Sequence, residues 1–194
     1  MKSRVLILSF IVLSAACFKS TNSDTGNPQK DLPNSEPVLE IQIEADGMRG
    51  VAGKILLFRL YKNAVAEYDE ADEQKKIAGN GAKAEEIFSR KRVKISAPEY
   101  EKFQLLFDSA DFRKDFQITR ESYQSARSCT DDSGLDYKIS YESGGRQKIV
   151  AINNVCEFHQ LTNRETGNNV DIPVTLSELI RLAYVTQLRY VYKK

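Results

Sequence analysis

Apolar and polar residues alternate along VLEIQIEA, residues 38–45, which puts leucine and isoleucine on one side of the chain and charged or amide side chains on the other. A period of two with one charged face predicts a half-buried β-strand. A glycine-bearing stretch leads to the more apolar KILLFRLY at 54–61, and a turn at residues 62–63 leads to AVAEYDE. Strand patterns joined by such short connections predict a three-stranded antiparallel meander.

The pattern is less regular over the next 60 residues. Residues 69–84 are charged and glycine-bearing, which predicts an exposed loop or a short helix. EIFSRKRVKI, residues 86–95, predicts a further strand with the basic run of residues 90–94 on its solvent side. The apolar residues of the segment 111–128 are spaced too irregularly for an assignment.

Two segments have the pattern of helices that begin with a capping box. In the first, Ser96 is followed three residues later by Glu99, with Pro98 in the first turn. Its apolar face has helical spacing and consists of Tyr100, Phe103, Phe107 and Ala110. The second, TLSELIRLAYVTQLRYVYKK, opens with Thr175 and Glu178 and has one broad apolar stripe, which predicts a C-terminal helix packed on the sheet.

The clearest hairpin signal is LDYKISYES followed by RQKIVAIN, with Gly144 and Gly145 between them. Two adjacent glycines supply the positive φ angles that a two-residue hairpin turn requires. The order of elements predicts an α+β fold, in which an antiparallel sheet, built from the meander and the C-terminal hairpin, is covered on one face by two helices.

The first 16 residues have the composition of a signal peptide. Lys2 and Arg4 precede the apolar run VLILSFIVLSAA, which is shorter than the roughly 20 residues needed to span a bilayer. Ser14 and Ala16 are small residues at the positions required for an ordinary secretory cut before Cys17. An exported chain is therefore predicted.

LSAAC, residues 13–17, also resembles the lipobox of bacterial lipoproteins. The resemblance implies cleavage before Cys17, a diacylglycerol on its thiol and acylation of the new amino group. The chain departs from the usual pattern at Ser14, where leucine is the common residue. It matches a relaxed lipobox, and the alternative is a secreted protein with a free thiol at its N-terminus.

The number of cysteines bears on this choice. The chain has three, and an unpaired thiol is a liability in an oxidising compartment. Cys129 and Cys156 flank the predicted hairpin and are expected to pair, which leaves Cys17 as the odd one and favours lipid attachment there. The alternative for Cys129 and Cys156 is two buried, reduced thiols.

Residues 18–37, FKSTNSDTGNPQKDLPNSEP, contain almost nothing apolar. A segment of this composition is predicted to form a flexible coil, which would span about 25 Å on average. We therefore expect a signal peptide at 1–16, a lipidated cysteine and tether at 17–37, and a single domain at 38–194.

Charge and composition exclude one class of partner. Without Lys2 and Arg4 the chain keeps 26 of its 28 basic side chains against 27 acidic ones. A nucleic-acid-binding protein normally has a strong positive excess, so no nucleic-acid partner is expected.

Candidates for chemistry are few. His159 is the one histidine, without an accompanying nucleophile motif, so it is interpreted as a partly exposed residue beside the cysteine pair. No cofactor or metal motif is found. The acidic runs are interpreted as solvated loops; they consist of Asp69, Glu70, Asp72 and Glu73, and of Asp131 and Asp132. The glycine triplet is interpreted as turn residues and consists of Gly47, Gly50 and Gly53.

The motifs KISAPEYEKFQLLF and LDYKIS…GGRQKIVAIN, followed by a closing helix, resemble an uncharacterised domain of bacterial envelope lipoproteins. The resemblance implies an envelope location and no activity. We expect a non-enzymatic lipoprotein, anchored through Cys17, that binds a protein, glycan or envelope partner. Phe18 is not the aspartate associated with inner-membrane retention, which favours the outer membrane. The alternatives are a small envelope hydrolase using His159 and a periplasmic assembly or inhibitor subunit.

Overall fold

The computed structural model describes residues 36–46, 51–72, 82–125, 129, 134–156, 158–162 and 170–192. Within these ranges eight strands form one sheet: β1 Leu39–Asp46, β2 Val51–Leu60, β3 Val65–Ala71, β4 Ala82–Lys83, β5 Phe88–Lys94, β6 Ser122–Gln124, β7 Leu135–Ser143 and β8 Arg146–Val155. The described residues also form five helices: α1 Ala84–Ile87, α2 Ala97–Asp108, α3 Ala110–Ile118, α4 His159–Thr162 and α5 Val174–Val191.

The strand order is β5-β3-β2-β1-β7-β8-β6, with the two-residue β4 attached to β2. The meander β1-β2-β3 is antiparallel, as predicted, and the hairpin β7-β8 is attached to the free side of β1. In this register Leu39 lies beside Leu60 on one strand and Tyr141 on the other. β1, the first strand in the chain, is therefore the central strand of the sheet.

One face of the sheet is covered by helices, and the core lies between the two layers. Phe58 of β2 stacks on Phe103 of α2, with ring centroids 5.7 Å apart. Tyr141 of β7 meets the rings of Phe112 and Phe116 of α3 edge-on. α5 contributes fully buried side chains, namely Leu176, Leu179, Ile180 and Ala183. The predicted α+β class, with an antiparallel sheet covered on one face, is confirmed, although α3 joins α2 and α5 in the helical layer.

Two of the strand pairings differ from the antiparallel prediction. β6 runs parallel to β8, with Tyr123 beside Ile152, and β4 runs parallel to β2. Both parallel strands are short, at three and two residues.

The two predicted helices are present, but only one begins as expected. The capping box of Ser96 and Glu99 is formed at the start of α2. At α5 the N-cap is Pro173, so the predicted capping box of Thr175 and Glu178 is wrong. The backbone N–H and the hydroxyl of Thr175 instead donate to the Asp115 carboxylate of α3, at 3.2 and 2.8 Å. A tertiary contact replaces the local cap.

Three other segments differ from the sequence-based expectations. Residues 69–71 continue β3 instead of opening a loop, and residues 84–87 form a helical turn before β5. The unassigned segment after residue 110 forms α3 and β6. Ala110 begins this second helix and is exposed, so it does not extend the apolar face of α2.

Gly144 and Gly145 form the turn between β7 and β8, with φ angles of 57° and 76°. Both values lie in the left-handed region, which glycine enters without the steric cost that a Cβ atom brings. The turn chemistry predicted for the hairpin is therefore present.

Candidate functional site

The corner after β8 contains the cysteine pair. The sulfurs of Cys129 and Cys156 are 2.15 Å apart and their Cα atoms 5.3 Å apart, which is disulfide distance. The backbone N–H of Cys156 donates to the side chain of Gln160 at 3.1 Å, so the corner is also tied to α4. Cys17, the predicted lipid-attachment residue, lies outside the described residues.

His159 is the first residue of α4, and its side chain is exposed. It lies three residues after Cys156 in the sequence. The sequence predicts a partly exposed histidine beside the cysteine pair. The concavities described below have other lining residues. Neither of those two concavities is built around this imidazole.

The sheet face opposite the helices has a row of ion pairs across four strands. The Arg59 side chain of β2 bridges Glu40 of β1 and Glu67 of β3, and Arg92 of β5 binds Glu67 from the other side. Tyr61 also donates to Glu67, at 3.1 Å. We call these five side chains the charge ladder.

Glu67 is the centre of the charge ladder and is only 3% exposed. Burial alone would raise its pKa, but hydrogen bonds from Arg92, Arg59 and Tyr61 outweigh that effect and hold the pKa of the carboxyl below its usual value. An ionised, fully bonded carboxylate of this kind stabilises strand pairing. Its lone pairs are engaged by the protein, so it has little capacity left for a ligand.

The basic run of β5 lies on the strand as predicted, but it is balanced by acids of β3. Arg90 makes two hydrogen bonds to Asp69, and Lys91 lies 3.8 Å from Glu70. Asp69 also accepts the backbone N–H of Leu56 at 2.7 Å. Two of the predicted loop acids are therefore structural partners of the neighbouring strand.

Metal binding has no geometric support in the described ranges. Within them, no group of three or more histidine, cysteine, aspartate or glutamate side chains could hold an ion. Glu73, Asp131, Asp132, Gly47 and Gly50 lie outside the described residues. Gly53 is in β2 with φ 117°, and a Cβ there would lie 3.4 Å from the Cβ of Ala84. It is a position of close approach between β2 and α1.

Two shallow concavities on the described part of the surface are candidate binding surfaces. One, of about 650 Å³, lies on the open face of β7 and β8, where Glu44, Asp136, Lys138 and the exposed Ile149 contribute to its lining. The other, of about 610 Å³, lies between α2, α3 and the start of α5. Its lining includes Leu105 and Val174, which are 66% and 49% exposed. Both are open depressions suited to a macromolecular surface more than to an enclosed small molecule.

Glu99 joins the start of α2 to the end of α5. Its carboxylate accepts hydrogen bonds from Tyr190 at 2.6 Å, from the Ser96 hydroxyl at 2.7 Å and from Arg189 at 3.2 Å. Burial alone would raise the pKa of Glu99, but these bonds outweigh it and lower the pKa to about 2. Burial and the bond to Glu99 raise the pKa of Tyr190.

The two tyrosines at the end of α5 differ in their surroundings. Tyr190 is held against α2, whereas Tyr192 is 79% exposed. Lys193 and Lys194 lie outside the described residues.

Comparison of the chain with protein-family models, with curated proteins and with solved structures gave no match. In the part of the chain that the structure describes, every helix is too short or too polar to cross a bilayer. The class established by these observations is an α+β domain with a charged open sheet face.

Proposed function

We propose that the chain is a lipid-anchored protein of the bacterial envelope, held in the membrane by acyl chains on Cys17. Its folded domain then binds a protein, glycan or other envelope partner without catalysing a reaction. The outer membrane is the favoured location. One observation carries the proposal, namely that Cys129 and Cys156 lie at disulfide distance and leave Cys17 as the odd cysteine.

The cysteine arrangement supports export and lipidation together. A cysteine pair at disulfide distance is typical of proteins that mature in an oxidising compartment. In that compartment a third thiol would be reactive, and acylation removes it. Each buried acyl methylene contributes about 0.8 kcal/mol, so two or three chains make the attachment effectively permanent.

The proposed role in binding is supported by the surfaces of the domain. The concavities are shallow and the buried carboxylates Glu67 and Glu99 are occupied by intramolecular bonds. These features fit a domain that presents a surface to a partner better than one that activates a substrate. The periplasmic assembly or inhibitor role is a special case of the same proposal, in which the partner is a protein.

The test is metabolic labelling with a palmitate analogue in a bacterial host, followed by intact-mass measurement of the purified protein. The expected result is acyl mass on a chain that begins at Cys17, with complete loss of label in Cys17→Ala. Cys129→Ser serves as the matched control because it removes a thiol elsewhere and leaves the leader unchanged.

Three results would contradict the proposal. The first is an unlabelled wild-type chain, and the second is label that persists in Cys17→Ala. The third is two alkylatable thiols, at Cys129 and Cys156, in the unreduced and denatured protein, because the pairing argument would then fail.

A further inference from the structure

The turns and chain segments nearest to the predicted tether lie together at one end of the domain. The backbone N–H of Val38 donates to Leu60 at 2.9 Å, and its carbonyl accepts from Glu142 at 3.0 Å. The turn at residues 61–64, the hairpin turn at 143–146 and residues 36–38 therefore lie together. We call this part of the molecule the tether end.

The end of β5 and the last turn of α5 also belong to the tether end. The N–H of Ile95 donates to the carbonyl of Ala64 at 2.9 Å, and that of Ser96 donates to the Tyr190 hydroxyl at 3.0 Å. The Tyr100 hydroxyl reaches the carbonyl of Lys62 at 2.8 Å. These contacts bring the closing segment of α5 beside the entry of the chain into the fold.

Exposed charge at the tether end is predominantly basic. Its exposed cations are Lys62, Lys94, Arg146 and Arg189. Of the acids here, Glu99 is buried beneath Arg189, Glu142 is half-buried beside Lys62, and Glu36 is exposed. The exposed ring of Tyr192 is adjacent, and Lys193 and Lys194 follow it in the sequence.

The opposite end of the sheet has the reverse balance. It includes exposed or partly exposed acids on four elements, namely Glu44, Glu70, Asp72, Glu85, Glu86 and Asp136. The described cations near them are the exposed Lys54, Lys83 and Lys138 and the partly exposed Lys91, which pairs with Glu70. Along β3, Asp72 is seven residues beyond Val65, the partner of Lys94, which corresponds to roughly 24 Å of strand. Among the described residues, the tether end therefore has the more basic balance of charge and this end the more acidic one.

We infer that the tether end is a docking surface for an anionic lipid headgroup layer, so that the anchored domain stands with its basic end on the membrane and its acidic end away from it. The inference rests on the lipid anchor proposed above. Basic side chains near an anionic leaflet are attracted within about a Debye length, and an interfacial tyrosine suits the headgroup region. The tether holds this end within reach of the headgroups.

The experiment uses the lipidated mature protein, reconstituted in vesicles of phosphatidylethanolamine with phosphatidylglycerol or in vesicles of phosphatidylcholine alone. Exposed lysines are modified with an amine-reactive acetyl ester, and the rate at each lysine is read by peptide mass spectrometry. Lys62 and Lys94 report on the tether end, and Lys54 and Lys83 are internal controls at the opposite end.

In the anionic vesicles we expect Lys62 and Lys94 to react several-fold more slowly than Lys54 and Lys83, relative to the detergent-solubilised protein. At about 1 M salt, where the Debye length is about 3 Å, the difference should disappear. In phosphatidylcholine vesicles it should be absent. The double variant Lys94→Glu with Arg146→Glu should remove the protection of Lys62, whereas Lys54→Glu with Lys83→Glu, with the same change in charge, should retain it.

Equal reaction rates at both ends in anionic vesicles overturn the inference, even when the protein floats with the vesicles. A protein that fails to float with phosphatidylcholine vesicles has no working anchor, and that result overturns the proposed function and this inference with it. The two failures are distinguished by flotation and by the acyl mass of the same sample.

Discussion

Glu99 shows how one side chain can link two helices. It caps α2, yet its remaining bonds go to Arg189 and Tyr190, about 90 residues later in the chain. Its carboxylate has to be ionised to accept all of them, which is why its pKa is about 2. The contact therefore links local helix capping to the position of the last helix.

Stability should depend on the ionisation of Glu99. Because its folded-state pKa is lowered, its contribution is fully present above the unfolded value of about 4.5 and is lost as the pH falls toward about 2. We expect Glu99→Gln to lower the free energy of unfolding at pH 7 by up to about 3 kcal/mol. Urea unfolding at pH 7 and at pH 3 measures this.

Glu101→Gln is the matched control, since Glu101 is an exposed residue of the same helix turn. It should change the free energy by less than about 0.5 kcal/mol and keep the wild-type pH dependence. If Glu99→Gln also kept the full wild-type loss of stability between pH 7 and pH 3, the role assigned to this carboxylate would be wrong.

At the scale of elements, the β7-β8 hairpin depends on its two-glycine turn. A Cβ at Gly145 would meet no atom within 4 Å, so any cost of substitution comes from the φ of 76° and not from crowding. We expect Gly145→Val to destabilise the protein by about 1–2 kcal/mol, because a branched side chain is strained in the left-handed region.

Gly145→Asn is the control for this prediction, as asparagine enters the left-handed region more readily. Its free energy of unfolding should lie between those of the wild type and Gly145→Val. Thermal or urea unfolding of the three proteins gives the order, and equal stability of all three would contradict the turn assignment.

Local patterns predicted the elements that are stabilised locally. The alternation in β1, the glycine pair and the Ser96–Glu99 box each act within a few residues, and all three are present. α3 was missed because its buried contacts, such as Phe112 against Tyr141, are with distant strands. The capping box predicted for α5 is wrong for the same reason, since the hydrogen bonds at the start of this helix go to Asp115, 60 residues away.

Some features of the candidate sites could be predicted from the sequence, and others depend on contacts between distant residues. The sequence indicated the pairing of Cys129 with Cys156 through the number of cysteines, and they lie at disulfide distance. It did not indicate the charge ladder, because the pairing of Glu67 with Arg92 depends on the register of two strands. Asp69 and Glu70 were read as loop residues, since the cations of β5 that balance them are about 20 residues further along the chain.

For the whole molecule, the cysteine pair closes a segment that contains the entire hairpin. The two residues are 27 apart, and a disulfide across such a loop contributes about 3 kcal/mol by restricting the unfolded chain. We expect dithiothreitol to lower the free energy of unfolding of the wild type by about this amount. Urea unfolding with and without the reductant measures the change.

The double variant Cys129→Ser with Cys156→Ser provides the comparison. Its stability should equal that of the reduced wild type within about 0.5 kcal/mol and should not respond to dithiothreitol. A reductant effect of similar size in the double variant would mean that the stabilisation comes from elsewhere in the chain.

The central position of β1 affects the order in which the protein is able to fold. One edge of β1 is able to pair with β2 once the chain up to residue 60 is present, but the other requires β7, where Leu39 meets Tyr141 about 100 residues later. Until then a strand with alternating apolar side chains has an open edge, which is a template for pairing with other nascent chains. Both edges of β1 are therefore covered only when the two halves of the polypeptide have come together.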